Sequence, residues 1–389
     1  MANNPVNFKI GITASNEQCI IGADFDDVFV RSDCFASGGL WLWGRNANGE
    51  LGNRTNVNYS SPIQTVSGGT NWKEISLGYF HSVGIKDDGT LWSWGINADG
   101  SIGDGTAVSK SSPVQTVSGG ADWRKISTGF EFTTAIKNDG TLWAWGYNYV
   151  GSLGDGTNLQ RSSPVQSASK NTDWKTVSSG YRHSAALTLG GALWLWGSNN
   201  CGQLGDGTKI DKSSPVQVMT GGSNWKQVSA GGNVTAGIKN DGTLWLWGQG
   251  DIHQIGDSYD TSRVSPVQTF VGGTDWRQVS IGGNRSTAIK TDGTLWTWGY
   301  QTPPISIPTQ IGDSTWRKVV AGADNTAVIS PEGKLYIAGT TTLAACYGQL
   351  GNNTTTNCIS LVETASGGSD WRTVSFGRYS VAAIRDNCW

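Results

Sequence analysis

Charge is scarce in this chain. Asp, Glu, Lys and Arg make up 15% of the 389 residues, and the formal net charge is −2. No basic stretch could release many counterions from a nucleic acid, so no nucleic-acid partner is expected. Long apolar runs are missing as well. None reaches the 18 residues that a membrane-crossing helix needs, and the opening stretch MANNPVNFKIGITASNEQ lacks the basic start and apolar core of a secretory signal. The six cysteines, at 19, 34, 201, 346, 358 and 388, are too sparse for a disulfide-built scaffold, and no close pair has zinc-ligand spacing. There are only three histidines. No Ser/His/Asp arrangement, phosphate loop or HExxH is found. These gaps argue against an enzyme, and no metal or cofactor is expected.

Glycine (55) and tryptophan (20) are abundant instead. That mix suits short strands, tight turns and large flat side chains packed between sheets, and it does not suit disorder. One pattern dominates. Leu40-Trp41-Leu42-Trp43-Gly44 returns at Leu91, Leu142, Leu193, Leu244 and Leu295, each time after 51 residues, and a weaker copy, Leu335-Tyr336-Ile337-Ala338-Gly339, follows after 40. A lone tryptophan marks the same seven units: Trp72, Trp123, Trp174, Trp225, Trp276, Trp316 and Trp371. Within the unit opened by Trp174, an apolar strand with a central glycine leads through a turn into LWLWG, then a loop, then the extended piece SSPVQ. Period-two alternation puts Trp194 and Trp196 on one strand face and Leu193 and Leu195 on the other. Apolar residues on both faces imply burial on both sides. Sheets stacked radially against neighbours supply it, and a unit of this size holds about four strands. The expected fold is therefore all-β, a closed seven-bladed β-propeller.

Asp88-Gly89, Asp139-Gly140, Asp241-Gly242 and Asp292-Gly293 fall at hairpin positions. The GDGT pieces at Gly103, Gly154 and Gly205 each offer a single carboxylate, too few for a calcium cage, and read as turns. Ser112-Pro113 and Ser214-Pro215 suit an outer strand, where a missing N–H is harmless. Gln301 to Gln310 holds three prolines and reads as a short, stiff loop that trims its unit. The chain ends where an LWxWG strand is due, and Gly39 to Gly44 supplies that strand, so one blade is completed by both termini. Residues 1–37 are then surplus, an arm or cap suited to anchoring, with residues 38–389 the propeller. Cys34 and Cys388, and separately Cys346 and Cys358 in one loop, are candidate disulfide pairs, with free thiols the alternative.

The stretch Val177 to Leu187 (VSSGYRHSAAL), followed by Gly191-Ala192-Leu193-Trp194-Leu195-Trp196-Gly197 and Ser198-Asn199-Asn200-Cys201-Gly202-Gln203-Leu204-Gly205, resembles the repeat of the regulator of chromosome condensation family. The shared features are the central glycine, the histidine, the small residues, aromatic-x-Trp-Gly and Asn-x-x-Gly-x-Leu-Gly, recurring over residues 38–389. The resemblance implies a seven-bladed propeller, often closed by both termini, in a family that includes an exchange factor, a plant ultraviolet-light receptor and secreted bacterial inhibitors of β-lactamase. Fold alone does not choose among such roles. The even LWxWG spelling looks bacterial or phage-like. The arm, with Asp24, Asp26, Asp27 and Asp33 against Lys9 and Arg31, does not resemble the basic tail of chromatin-binding members.

His81 and His183 occupy one repeat position and match the family's structural histidine. Most tryptophans fall at packing positions, and the arginines are scattered among units, unlike a light-sensing cluster. Recognition is expected where blades differ. After the central glycine stand Tyr79 and Phe80, Phe130 and Glu131, Tyr181 and Arg182, and Arg378 and Tyr379, against small or polar residues in the other units; after LWxWG stand Tyr147, Tyr149 and Tyr300. Aromatics and arginine at such positions suit a binding hot spot. The expected function is a non-enzymatic interaction module, first a bacteriophage virion structural or decoration protein assembled in the host cytoplasm. In that role its partners are other virion proteins or a host-surface macromolecule. A soluble or non-classically exported bacterial inhibitor is the alternative, and a carbohydrate-binding propeller is third.

Overall fold

The computed structural model describes residues 38–67, 69–300, 304–339, 347–356 and 358–386. Among them are seven four-stranded antiparallel sheets. Blade 1 runs Trp72–Leu77, His81–Lys86, Leu91–Gly95 and Lys110–Gln115. Blades 2 to 6 repeat that meander, opening at Trp123, Trp174, Trp225, Trp276 and Lys318. The first strand of each blade lines a central channel. The second and third strands are buried almost throughout, as in the burial of HSVGIK and LWSWG in blade 1. The outer strands are half-buried and carry the prolines. Asp88 accepts from the Thr90 N–H and hydroxyl, and Gly89 sits at φ 80°, which a side chain would strain.

In blade 7, Gly39–Gly44 pairs with Ser380–Arg385, Leu42 opposite Ala382, and lies between that strand and Tyr59–Gln64. The inner strand is Trp371–Phe376. Blade 7 in turn meets blade 1, where Arg372 donates to the Trp72 carbonyl at 2.7 Å and the Leu77 N–H donates to the Ser375 hydroxyl at 2.9 Å.

Three devices join neighbouring blades. First, the apolar cores lie between blades: Ile136 and Leu142 of blade 2 pack with Trp174, Val177 and Trp196 of blade 3. A tryptophan buried this way removes about 200 Å² from water, on the order of 5 kcal/mol. Second, the indole N–H of the second tryptophan of LWxWG donates to a carbonyl in the loop of the preceding blade. Trp94 reaches Glu50 at 2.8 Å, Trp145 reaches Ser101 at 2.9 Å and Trp247 reaches Gln203 at 3.0 Å. Third, a channel-side serine hydroxyl accepts an N–H from the next blade: Ser76 from Thr128, Ser127 from Ser179, Ser178 from Ala230, Ser229 from Ile281, and Ser280 from Ala321. Val320 holds the serine position in blade 6, so the seam to blade 7 lacks this bond.

The expected loop Gln301 to Gln310 is corrected. Ile305–Thr315 is an eleven-residue outer strand, with Thr309 opposite Thr297 and Gln310 opposite Trp296. Proline marks a loop only where its N–H is needed, and Pro308 sits on an outer strand with one neighbour. The shortened connection brings the chain straight back to the sheet. The expected arm 1–37, Cys34, Cys346 and Cys388 lie outside the described residues, so neither candidate disulfide pair is described. Cys201 and Cys358 are half-buried.

Candidate functional site

The hairpin pairing fixes which loops share a face. In blade 1 His81 lies opposite Gly95, and in blade 3 His183 lies opposite Gly197. The residues after the central glycine and those after LWxWG therefore emerge at the same end of each blade. The two sets of variable residues read from the sequence become one surface.

On blades 7, 1, 2 and 3 that surface is a continuous arc of rings. Tyr79 meets Phe80, Phe130 and Tyr181 at centroid distances of 5.5, 4.6 and 5.1 Å. Phe130 stacks on Tyr181 at 4.6 Å with planes 29° apart. Three guanidiniums lie against the rings. Arg182 faces Tyr147, Phe130 and Tyr181 at 5.1 to 5.6 Å. Arg378 faces Tyr79 and Tyr379 at 4.8 and 5.0 Å, and Arg45 faces Phe80 at 5.4 Å. These residues are half-buried, and Tyr149, which meets Tyr147 at 5.2 Å, is 62% exposed. Blades 4, 5 and 6 carry Gly232, Gly283 and Ala323 where the arc has Tyr79, Phe130, Tyr181 and Arg378. The result is a cavity of about 230 Å³ at the channel mouth, with rings on one side and nearly bare backbone on the other.

Backbone contact explains the glycines just below this mouth. A Cβ on Gly78 or Gly129 would lie 2.7 Å from the carbonyl oxygen of the next blade's central glycine, and one on Gly377 would lie 2.8 Å from that of Gly78. In six of the seven blades the central glycine lets its neighbour's backbone close in, which sets the channel diameter, while Gly322 of blade 6 meets the Phe376 ring instead.

The electrostatics are uneven around the arc. Burial and the adjacent Asp99 carboxyl push Glu131 up to about 7, against the pull of Arg182. Asp99 also accepts from Gln160. Burial pushes the Tyr79 hydroxyl up to about 12. Arg45 is paired with Glu50 at 3.0 Å.

Of the sequence-predicted residues, the structure brings together Tyr79, Phe80, Phe130, Glu131, Tyr181, Arg182, Tyr147, Tyr149, Arg378 and Tyr379. Tyr300 stands apart in blade 5, its N–H on the Asn284 carbonyl. Asp99 and Tyr347, which meets Tyr379 at 5.6 Å, were missed. Each sits in a loop that leaves its own blade, and repeat alignment gives no sign of where such a loop lands. His81 and His183 bridge blades, each with its Nε2 against a threonine hydroxyl, Thr133 at 3.0 Å and Thr235 at 2.9 Å. Burial holds both at about 3, so the rings are neutral. The GDGT carboxylates are turn acceptors: Asp104 takes the Thr106 N–H and hydroxyl and faces Lys110 at 3.3 Å.

Residues 32–304 match the model of the RCC1-like domain. The Arabidopsis thaliana ultraviolet-B receptor UVR8 is 29% identical over 67% of this chain and 60% of its own length. The mitochondrial RCC1 domain-containing protein RUG3 of the same plant is 29% identical over 67% of this chain and 61% of its own. The match thus spans about three fifths of these relatives. Among solved structures, human WBSCR16 superposes with a TM-score of 0.79 at 18% identity, covering 90% of this chain and 99% of that one. Saccharomyces cerevisiae Prp20p superposes at 0.80 and 17%, covering 92% and 93%. At those identities the likeness shows the fold.

Proposed function

The chain belongs to the RCC1-like domain family, and we propose that it is a non-catalytic propeller that binds another protein through the aromatic–arginine arc of blades 7, 1, 2 and 3. One observation carries this reading. The ring positions exist in all seven repeats, yet blades 4, 5 and 6 fold with glycine or alanine there. The blade does not need the rings, and half-exposed aromatics with arginine are the chemistry of interface hot spots. The non-catalytic side is supported by the placement of polar groups. His81 and His183 are buried between blades, and the turn aspartates are taken up by their own threonines.

Prp20p is described by its binding to Gsp1p and histones, a property of that protein. The partner of this chain is a separate matter. Its assignment to a bacteriophage virion rests on the even spelling of the repeats, and the relatives named above, from plant, human and yeast, add nothing to it. Mass spectrometry and immunogold labelling of purified particles test that placement.

The arc itself is tested by affinity purification of the tagged full chain from its source cells, beside a Tyr79→Ala/Tyr181→Ala variant of unchanged circular dichroism. A partner that is enriched with the wild type and lost with the variant is the expected result. A partner retained in full by the variant moves the site elsewhere.

A further inference from the structure

Arg378 lines the channel mouth without an ion-pair or hydrogen-bond partner among the described residues. Arg378 lies over Tyr79 and Tyr379, its guanidinium carbon 4.8 and 5.0 Å from the ring centroids, and a guanidinium that meets rings keeps its N–H groups for other acceptors. Among the described residues no carboxylate pairs with Arg378, and no acceptor takes its N–H groups. Arg45 is paired with Glu50, and Asp324 accepts from Asn284 at 3.4 Å. Arg182 lies against the Tyr147, Phe130 and Tyr181 rings and does not line the cavity. Arg378 also lines the cavity, with Ala323 of the adjacent blade 6 and, farther round the rim, Gly283 and Gly232. The space, about 230 Å³, equals roughly seven or eight waters. That is room for an inserted side chain.

Resting on the protein-binding reading above, we propose that the mouth seats an acidic side chain from an extended segment of the partner. Its carboxylate meets the Arg378 guanidinium edge-on as a bidentate pair, and its stem lies on the Tyr79–Phe130–Tyr181 rings. Contact with two rings restrains the guanidinium beforehand, so less freedom is lost on binding. Low dielectric at the half-buried mouth strengthens the pair relative to one on an open surface.

The test is fluorescence anisotropy of the full chain with fluorescein-labelled seven-residue peptide pools, random except for a central glutamate, glutamine or lysine. The glutamate pool is expected to bind wild type about tenfold more tightly than the glutamine pool, with lysine weakest. Arg378→Gln brings the glutamate pool down to the glutamine level. Ala323→Phe, which fills the slot from blade 6 and leaves Arg378 in place, weakens every pool. Equal binding of the glutamate and glutamine pools, a preference that survives Arg378→Gln, or no binding of any pool overturns the proposal. Displacement of the glutamate pool by millimolar inorganic phosphate also overturns it, by making the mouth a receptor for free anions. The Tyr79→Ala/Tyr181→Ala variant separates the two readings. If it binds every pool as wild type does, the aromatic arc fails as the binding face, whatever Arg378 does.

Discussion

Gly129→Ala is the sharpest test of how the blades are held. The new Cβ would lie 2.7 Å from the Gly180 carbonyl oxygen of the next blade and overlap the Phe132 ring. The first neighbour is backbone and cannot rotate away. Blades 2 and 3 must part by about half an ångström before the contact is tolerable, and overpacking of this kind costs about 1–3 kcal/mol. The same movement stretches the bonds across that seam: Phe130 N–H to the Tyr181 carbonyl at 3.1 Å, Ser179 N–H to the Ser127 hydroxyl at 2.9 Å, and Thr134 to Ser179 at 2.9 Å. With partial loss of bonds contributing about 1 kcal/mol each, the sum is about 3–4 kcal/mol. Gly190→Ala is the control. Its Cβ meets nothing nearer than the Thr188 hydroxyl at 3.8 Å, and stability is expected to hold or rise by about 0.5 kcal/mol. Guanidinium unfolding followed by tryptophan fluorescence reads both. At a slope of about 6 kcal/mol per molar, Gly129→Ala lowers the midpoint by about 0.6 M. Equal midpoints for the two variants would refute the claim that glycine ring contacts set the blade spacing.

Trp247→Phe removes the 3.0 Å bond to the Gln203 carbonyl, which keeps Thr235 at 2.8 Å, and leaves a small void. The expected loss is about 2–3 kcal/mol in the same assay, and a loss under about 1 kcal/mol would show that the indole N–H does not link the blades. His81 and His183 are held at about 3 in the fold, below their ordinary 6.5. The unfolded chain takes up their protons first, so their contribution is whole above pH 6.5 and is lost as pH falls toward 3. At pH 5 that amounts to about 2 kcal/mol for each histidine. Phenylalanine, which blade 2 already carries as Phe132, should remove it, and an unchanged acid slope in His81→Phe/His183→Phe would contradict the assignment. Glu131 has the opposite sign: raised to about 7, it binds its proton more tightly folded, so stability declines as pH rises from about 4.5 to 7. Glu131→Gln should flatten that window in urea titrations, and a slope equal to wild type would separate Glu131 from Asp99.

Much of this was legible in the residues themselves. The 51-residue period, the alternation in LWxWG and the Asp-Gly turns are local signals, and each states a strand or a turn directly. The outer strand Ile305–Thr315 was misread because proline reports only a missing N–H, and whether that N–H has a partner depends on the neighbouring strand. The variable residues after the central glycine could be picked out by aligning the units, since positions that differ while the fold repeats are free for other uses. Asp99 and Tyr347 could not, because their loops cross to another blade.

The sequence by itself determined seven equivalent units, their strand order and the residues that break the equivalence. A repeat writes its own secondary structure and its own exceptions. The tertiary structure alone decided which exceptions touch. Closing the ring carries Arg378 from the end of the chain onto Tyr79 of blade 1, brings Tyr181 of blade 3 against both blade 1 and blade 2, and sets Glu131 beside an aspartate of the previous blade. Those contacts rest on the spacing of blades around a channel, fixed by backbone packing at the central glycines, and no pattern confined to one repeat contains it.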